Sequence, residues 1–387
     1  MRVRSGLANK TILACLLLLA AVPIAAQQPV APIREWHLEN PGLVEPNSER
    51  VFEYNISRLV FLTNAHLVAY ATVRGGPTLH TRTGPSALGS NNVRVMVLSV
   101  HADKPQSIAE WPTWRNNSNV MANSAGQALV QSGNIIRLVS PDLRVLKTWE
   151  GPDNIPPPYK AYLSSISPNG NTLLYENEGI YSNEVTKNIR ESHIRILDAR
   201  TLEVKAGWKG DFSLHPVAVS DRAIVKNEDS GEVHFREFNG AWRLVADKKI
   251  VGCPNSVFLD DSQILNACRR ELVLLDLEGK VVHRQTVVGK HDGDIDQKIA
   301  LARDQKIILL ALTRYRGQVF DMARVASRTL LVVDVEHWRS LLSIKIDPLP
   351  HNDGEYVKFD YDISPDGSRV AVLVNSTVKL YKVPDSN

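Results

Sequence analysis

DYDISPDGSRVAVLVNSTVKLYKV, residues 360–383, holds an apolar alternating run, the turn Ser364-Pro365-Asp366-Gly367 and two further alternating runs. Earlier, YLSSISPNGNTLLYENE at 162–178 repeats the phrase with Asn169 in place of the aspartate. Alternation with period two reads as strand. Ser, Pro, Asn or Asp and Gly between two such runs read as a tight turn. Equivalent turn signals occur at Thr63-Asn64-Ala65, Asn123-Ser124-Ala125-Gly126, Ser220-Asp221, Asp260-Asp261-Ser262 and Arg303-Asp304-Gln305, which makes seven with the two quoted. Their separations of roughly 40 to 60 residues are those of repeated small sheets with insertions.

A second phrase follows most of them: RILDARTLEVKAGW at 195–208, LVLLDLEGKVVHR at 272–284, LLVVDVEHWRSLLSI at 330–344 and, in weaker form, IIRLVSPDLRVLKTW at 135–149. Asp198, Asp276 and Asp334 fall at equivalent positions, where a carboxylate holds a turn by accepting nearby backbone amides. Each unit therefore reads as four antiparallel strands, a to d, with the Ser-Pro-Asp-Gly phrase between a and b and the aspartate between c and d. One such sheet cannot bury both its faces, so the units must stack, and radial stacking gives a β-propeller. The predicted fold is all-β: seven four-stranded antiparallel blades in a single domain over 27–387, with six or eight blades the alternatives. The last unit lacks a fourth strand, and Ile33 to Leu38 is strand-like with no unit of its own. Pairing the two repairs both defects and ties the ring shut.

The SPDG and SPNG phrases with their flanking strands resemble the bacterial WD40-like propeller repeats of exported proteins, the TolB type. The full motif occurs at 162–178 and 360–374, while the Trp-Asp dipeptide and Gly-His signature of true WD40 repeats are absent. The resemblance implies the propeller fold and points to partner-binding scaffolds and non-catalytic propellers.

Residues 1–26 form a basic n-region (Arg2, Arg4, Lys10), an apolar run and small residues ending at Ala26, the pattern of a cleaved secretory signal peptide. An uncleaved anchor, or a lipoprotein box ending at Cys15, are the alternatives. The formal charge of +3 falls to 3 − 3 = 0 once those three cations leave. Bulk electrostatics then favours neither nucleic acid nor anionic lipid, and no second apolar run is long enough for a membrane span. The expected location is secreted or periplasmic. Cys253 and Cys268 remain, and a hairpin turning at Asp260 to Ser262 brings them nearly opposite, within reach of a disulfide. Two free thiols are the alternative. Asn55, Asn116 and Asn375 stand in Asn-x-Ser/Thr triplets.

In such a ring the a–b and c–d turns share one face and the b–c and d–a loops the other. The long segments 74–91, 179–191, 313–327, 151–160, 289–297 and 348–356 all fall in the second class, which marks that face for binding. Nucleophile-elbow, phosphate-loop, dinucleotide and paired-histidine metal motifs are missing. Asp292, Asp294 and Asp296 alternate as an EF-hand loop opens, but Gln297 stands where glycine is needed and Arg303 where a bidentate glutamate is needed. Trp111, Trp149 and Trp208 recur on outer strands and read as blade packing rather than cofactor docking. The sequence assigns no catalytic residue, metal or cofactor. It predicts an exported, non-catalytic scaffold that binds a protein or an extracytoplasmic ligand through its loop-rich face. The alternative is a propeller enzyme, a metal-dependent hydrolase or lyase or a quinoprotein-type oxidoreductase, with its site in the central channel.

Overall fold

A computed structural model describes residues 30–38, 55–74, 91–113, 118–151, 160–183, 187–211, 214–228, 233–250, 255–287, 293–303, 306–316, 324–346, 359–374 and 376–384. They form seven four-stranded antiparallel sheets. Six sheets are consecutive meanders, blades one to six in chain order over 55–113, 118–150, 160–211, 214–250, 255–286 and 294–346. The seventh takes strands a to c from Phe359–Ile363, Arg369–Val374 and Thr377–Lys382, and its outer strand from Arg34–His37. Arg34 stands opposite Leu380 and His37 opposite Thr377, with Ile33 and Leu38 adding backbone bonds to Leu380 and Ser376. The ring is thus closed as the two end segments predict.

Burial follows the layer each strand occupies. Strands b and c face neighbouring blades on both sides and are apolar throughout their middles, as in Arg369–Val374 and Glu271–Asp276. Outer strands face solvent and alternate, as in Val281–Thr286. The core consists of seven clusters, one for each junction between neighbouring blades. Stability therefore resides between blades rather than within them.

Six of the seven predicted a–b turns lie where the sequence puts them, and the seventh falls between strands Asp294–Ala302 and Ile307–Arg316, with residues 304 and 305 outside the described ones. In the quoted phrase Ser364 Oγ accepts the Arg369 amide and donates to Asp366 Oδ1, which accepts the Ser368 amide. Ser167 Oγ likewise accepts the Asn171 and Thr172 amides. Gly170 and Gly367 both have φ near +70°, where a side chain is strained. Their surroundings differ. A Cβ on Gly170 would stand 2.5 Å from the Ser124 backbone nitrogen, whereas one on Gly367 would meet only the end of the Ile307 side chain at 2.9 Å. Gly170→Ala should cost about 2 kcal/mol and Gly367→Ala about 1 kcal/mol. Urea midpoints of the two variants check this, and equal losses would contradict it.

The c–d turns work as read. Asp198 Oδ1 accepts the amides of Arg200 and Thr201, Asp276 Oδ1 those of Glu278 and Lys280, and Asp334 Oδ1 those of Glu336 and His337. Asn239 does the same for Ala241 and Arg243 in blade four, where asparagine replaces the repeated aspartate. Leu143, Leu202, Trp242 and Trp338 then adopt positive φ. The first three are buried, so core packing offsets the conformational cost there.

Two expected loops are corrected. Segment 179–191 is mostly strand: strands b and c of blade three run Thr172–Asn183 and Lys187–Asp198 and stay paired to Asn183 opposite Lys187. Segment 313–327 is likewise largely a hairpin extension of Ile307–Arg316 and Arg324–Asp334 in blade six. Beyond the ends of strands a and d each extension is only two-stranded, so it is not held to the alternation of a four-stranded blade. The end of 289–297 also joins a strand, since strand a of blade six starts at Asp294.

Candidate binding face and channel mouth

Strand a of each blade adjoins strand a of the next all the way round, so seven inner strands enclose a channel. Each is hydrogen-bonded in a ladder on one edge only, and the amides of the other edge need other partners. For the amides of blade one, blade seven supplies carboxylates. Asp360 and Asp362 are two residues apart and share one face of their strand. Asp360 Oδ2 accepts the Leu59 amide at 2.6 Å and Asp362 Oδ2 accepts the Phe61 amide at 2.7 Å. The two aspartates form a two-rung side-chain ladder at the joint where the ring closes. Lys298 Nζ, from strand a of blade six (Asp294–Ala302), donates to Asp360 Oδ1 at 2.7 Å. Tyr361 OH donates to the Lys298 carbonyl.

Side chains also stitch the junctions between blades one and two and between blades two and three, and bond within blades five and six. Asn119 Oδ1 accepts from Arg58 Nη1 and Tyr70 OH, each at 3.2 Å, and Asn119 Nδ2 donates to the Leu163 carbonyl at 2.7 Å. The Leu163 amide donates to Gln131 Oε1 at 2.8 Å. Ser256 Oγ donates to Asn266 Oδ1 within blade five. In blade six Thr313 Oγ donates to Asp296 Oδ2 at 2.7 Å and accepts from Arg328 Nε at 3.0 Å. The Arg328 guanidinium lies 3.9 Å above the Phe359 ring centroid. Asn119, Gln131, Glu176, Ser256, Asn266, Thr313 and Asp360 are all buried. Six of them sit in the early half of strand a or the late half of strand b, and Glu176 stands opposite Tyr162, third in its strand a, so they form one polar layer just beneath the b–c and d–a face. Strand a ends at the other face on buried apolar residues: Phe61, Ala122, Val219, Phe258, Ala302 and Ile363. There Arg303 of blade six reaches across the ring, and its Nη1 donates to the Asn123 carbonyl of blade two at 2.5 Å.

Burial pushes the Asp362 carboxyl up to about 6. Lys298 and the Phe61 amide oppose that rise and Asp360 adds to it. Burial also raises Asp296 against Thr313 and Arg328, and raises Tyr70. The sign for Asp362 follows from linkage. Between about pH 4 and pH 6 the folded chain holds a proton that the unfolded chain has released, so this residue's contribution to stability falls as pH rises through that window. Asp362→Asn keeps an acceptor for Phe61 and carries no charge. It should be more stable than the parent at pH 7.5, by on the order of 2 kcal/mol, with the gap closing by pH 4.5. Urea titrations at both pH values measure it. A gap independent of pH would contradict the assignment.

Two arms rise from the same face. In blade three, strand a reaches Glu178 and strand d reaches Glu191, so Ile180–Asn183 with Lys187–Arg190 stands as a two-stranded arm of about 13 Å at 3.3 Å per residue. In blade six, strands a and d stop at Thr313 and Arg328. Arg314–Arg316 with Arg324–Ser327 extends about 10 Å beyond them. Blades three and six lie three places apart in a ring of seven, nearly opposite each other across the channel mouth.

The residues singled out in the sequence are distributed as follows. Asp294 is exposed and pairs with Arg270 at 3.1 Å, whereas Asp296 turns to Thr313 and Arg328. Asp292 lies outside the described residues, and among those described no group of three or more His, Cys, Asp or Glu is placed to hold a metal ion. Cys268 ends strand b of blade five. Asn255 stands opposite Ala267, so the register runs toward Cys253, which lies outside the described residues. Residues 1–26, Asn116 and Asn375 also lie outside them, and Asn55 begins strand a of blade one. The tryptophans pack blades. Trp149 meets Tyr175 edge-on at 4.9 Å, Trp208 stacks on Phe238 at 5.2 Å, and Trp111 packs on the cluster between blades one and two. No helix among the described residues is long and apolar enough to cross a membrane. The polar layer itself escaped the sequence reading; its signal was the pair of aspartates in Asp360-Tyr361-Asp362, directly before the turn phrase.

No protein-family model matches the chain, and none of the curated proteins does. Among solved structures the chain is similar to "KlHsv2 with loop 6CD replaced by a Gly-Ser linker", at 14% identity over 66% of this chain and 73% of that one, with a TM-score of 0.41. It is also similar to the C-terminal WD40 domain of Sif2, at 11% identity over 87% and 98% with a TM-score of 0.43. A third is a protein of unknown function from Bacteroides caccae, at 17% identity over 65% and 90% with a TM-score of 0.40.

Proposed function

We propose that this chain is an exported, non-catalytic β-propeller of the SPDG-repeat kind that binds a partner protein across the mouth of its channel, between the arms of blades three and six. The observation that carries the reading is the pair of two-stranded arms on one face of the ring. The carboxylates nearest the channel are already engaged by backbone amides, Lys298 or Thr313, which favours a scaffold over an enzyme centred there. Cleavage after Ala26 and a bond between Cys253 and Cys268 belong to the same reading: a ring of small sheets outside the cell gains from a covalent clip.

Affinity capture from the extracytoplasmic fraction tests it. The baits are the mature chain and a variant whose arms are shortened to tight turns at 180–190 and 314–327. We expect a partner held by the parent and lost by the variant. Intact mass should place the first residue at Gln27 and rise by two hydrogens on reduction. Equal capture by both baits would remove the arms from the function.

A further inference from the structure

The two arms differ in charge. Residues 313–328 contain four arginines, Arg314, Arg316, Arg324 and Arg328, and one carboxylate, Asp321. The corresponding stretch of blade three, 179–191, balances Glu184 and Glu191 against Lys187 and Arg190. Pairing sharpens the difference. In blade six the last rung sets Arg316 directly opposite Arg324. In the blade-three arm the rungs are Ile180 with Arg190, Tyr181 with Ile189, Ser182 with Asn188 and Asn183 with Lys187, and none opposes like charges.

Like charges directly opposite on antiparallel strands destabilise the pair. An anion held between them removes that cost, and guanidinium groups receive carboxylates in two-pronged fashion. Arg328 is already engaged by Asp296, Thr313 and the Phe359 ring. Arg314 and Tyr315 are exposed on the rungs next to the arginine pair, and Arg with Tyr is the composition of binding hot spots. With the signal removed the rest of the chain is close to neutral, so this is a local feature and not part of a general basic field.

We propose that the Arg316–Arg324 rung, with Arg314 and Tyr315 beside it, binds carboxylates of an acidic segment of a partner protein. The assignment rests on the reading of the arms as a partner-binding surface and gives that partner its chemistry. The blade-six arm supplies the charge selection, and the blade-three arm closes the opposite side of the mouth.

The test uses the full mature chain and fluorescein-labelled octaglutamate, followed by anisotropy, with octalysine as control. The parent should bind octaglutamate and lose at least tenfold in affinity between 50 and 300 mM salt, the behaviour of charge pairing at an exposed site. Arg324→Glu converts the opposed pair into an attractive one, so the arm should keep its fold and Tm should hold or rise, while affinity falls at least tenfold. Lys382→Glu, at the exposed end of strand c of blade seven and outside both arms, should leave octaglutamate affinity unchanged. Octaglutamate should also raise the Tm of the parent and not that of Arg324→Glu. Equal binding of octaglutamate and octalysine, or an unaltered affinity in Arg324→Glu, overturns the proposal. So does binding of inorganic phosphate or phosphatidylserine vesicles with the same affinity and the same Arg324 dependence, since the site would then not select an acidic peptide. The arm-trimming capture experiment remains independent: a partner lost on trimming but kept by Arg324→Glu would sink the carboxylate assignment and leave the interaction face standing.

Discussion

Trp36→Ala should lower the stability of the ring by about 3–5 kcal/mol, the cost of emptying a large buried aromatic site. Trp36 lies in the outer strand that completes blade seven and is 1% exposed. It packs with Leu59, Phe61, Met96, Leu373 and Leu380 in the cluster between blades seven and one, and its Nε1 donates to the Ala102 carbonyl at 2.8 Å. One side chain thus joins the two ends of the ring to the first complete blade. Guanidinium titration followed by far-ultraviolet dichroism would show the midpoint falling with little change in slope. A loss below about 1 kcal/mol would mean that the ring holds without its closing strand.

Asp360→Ala is the second large effect, at about 3 kcal/mol. The substitution leaves the Leu59 amide without its acceptor in a buried setting, which costs about 1–3 kcal/mol. It also removes the partner of Lys298, whose ammonium is partly exposed, so that pair contributes less than about 1 kcal/mol. Asp360→Asn preserves an acceptor for Leu59 and should recover most of the loss, leaving a deficit of about 1 kcal/mol. If the asparagine variant were as unstable as the alanine variant, the ion pair rather than the amide bond would govern the joint.

The features legible in the sequence were those written locally. Ser364-Pro365-Asp366-Gly367 and Ser167-Pro168-Asn169-Gly170 each fix their own turn through one serine and one Asx side chain, and Asp198, Asp276 and Asp334 fix theirs through two amides apiece. Closure was legible because a unit short by one strand and a strand without a unit have one common remedy. The channel layer was not, because its meaning depends on pairs such as Leu59 with Asp360, 301 positions apart, which exist only once the ring is closed. Nothing in Asp-Tyr-Asp alone says that both carboxylates replace a missing β-ladder. The arms were read as loops because a hairpin standing beyond its sheet has no need of a strict alternating pattern. Their register instead left a different trace, two arginines on one rung.

The closing pair also sets an order in time. Residues 34–37 emerge during synthesis well before 377–382, to which they pair. His37 and Thr377, bonded in the finished ring, are 340 positions apart. The first segment must therefore wait, unpaired and with Trp36 exposed, until Thr377–Lys382 has been made. Six blades can assemble by neighbour-to-neighbour addition during that interval, but the seventh cannot. A chain interrupted anywhere before residue 377 is left as an open arc with two uncovered sheet faces, a natural target for chaperones and proteases and a route by which arcs from two chains could complete each other.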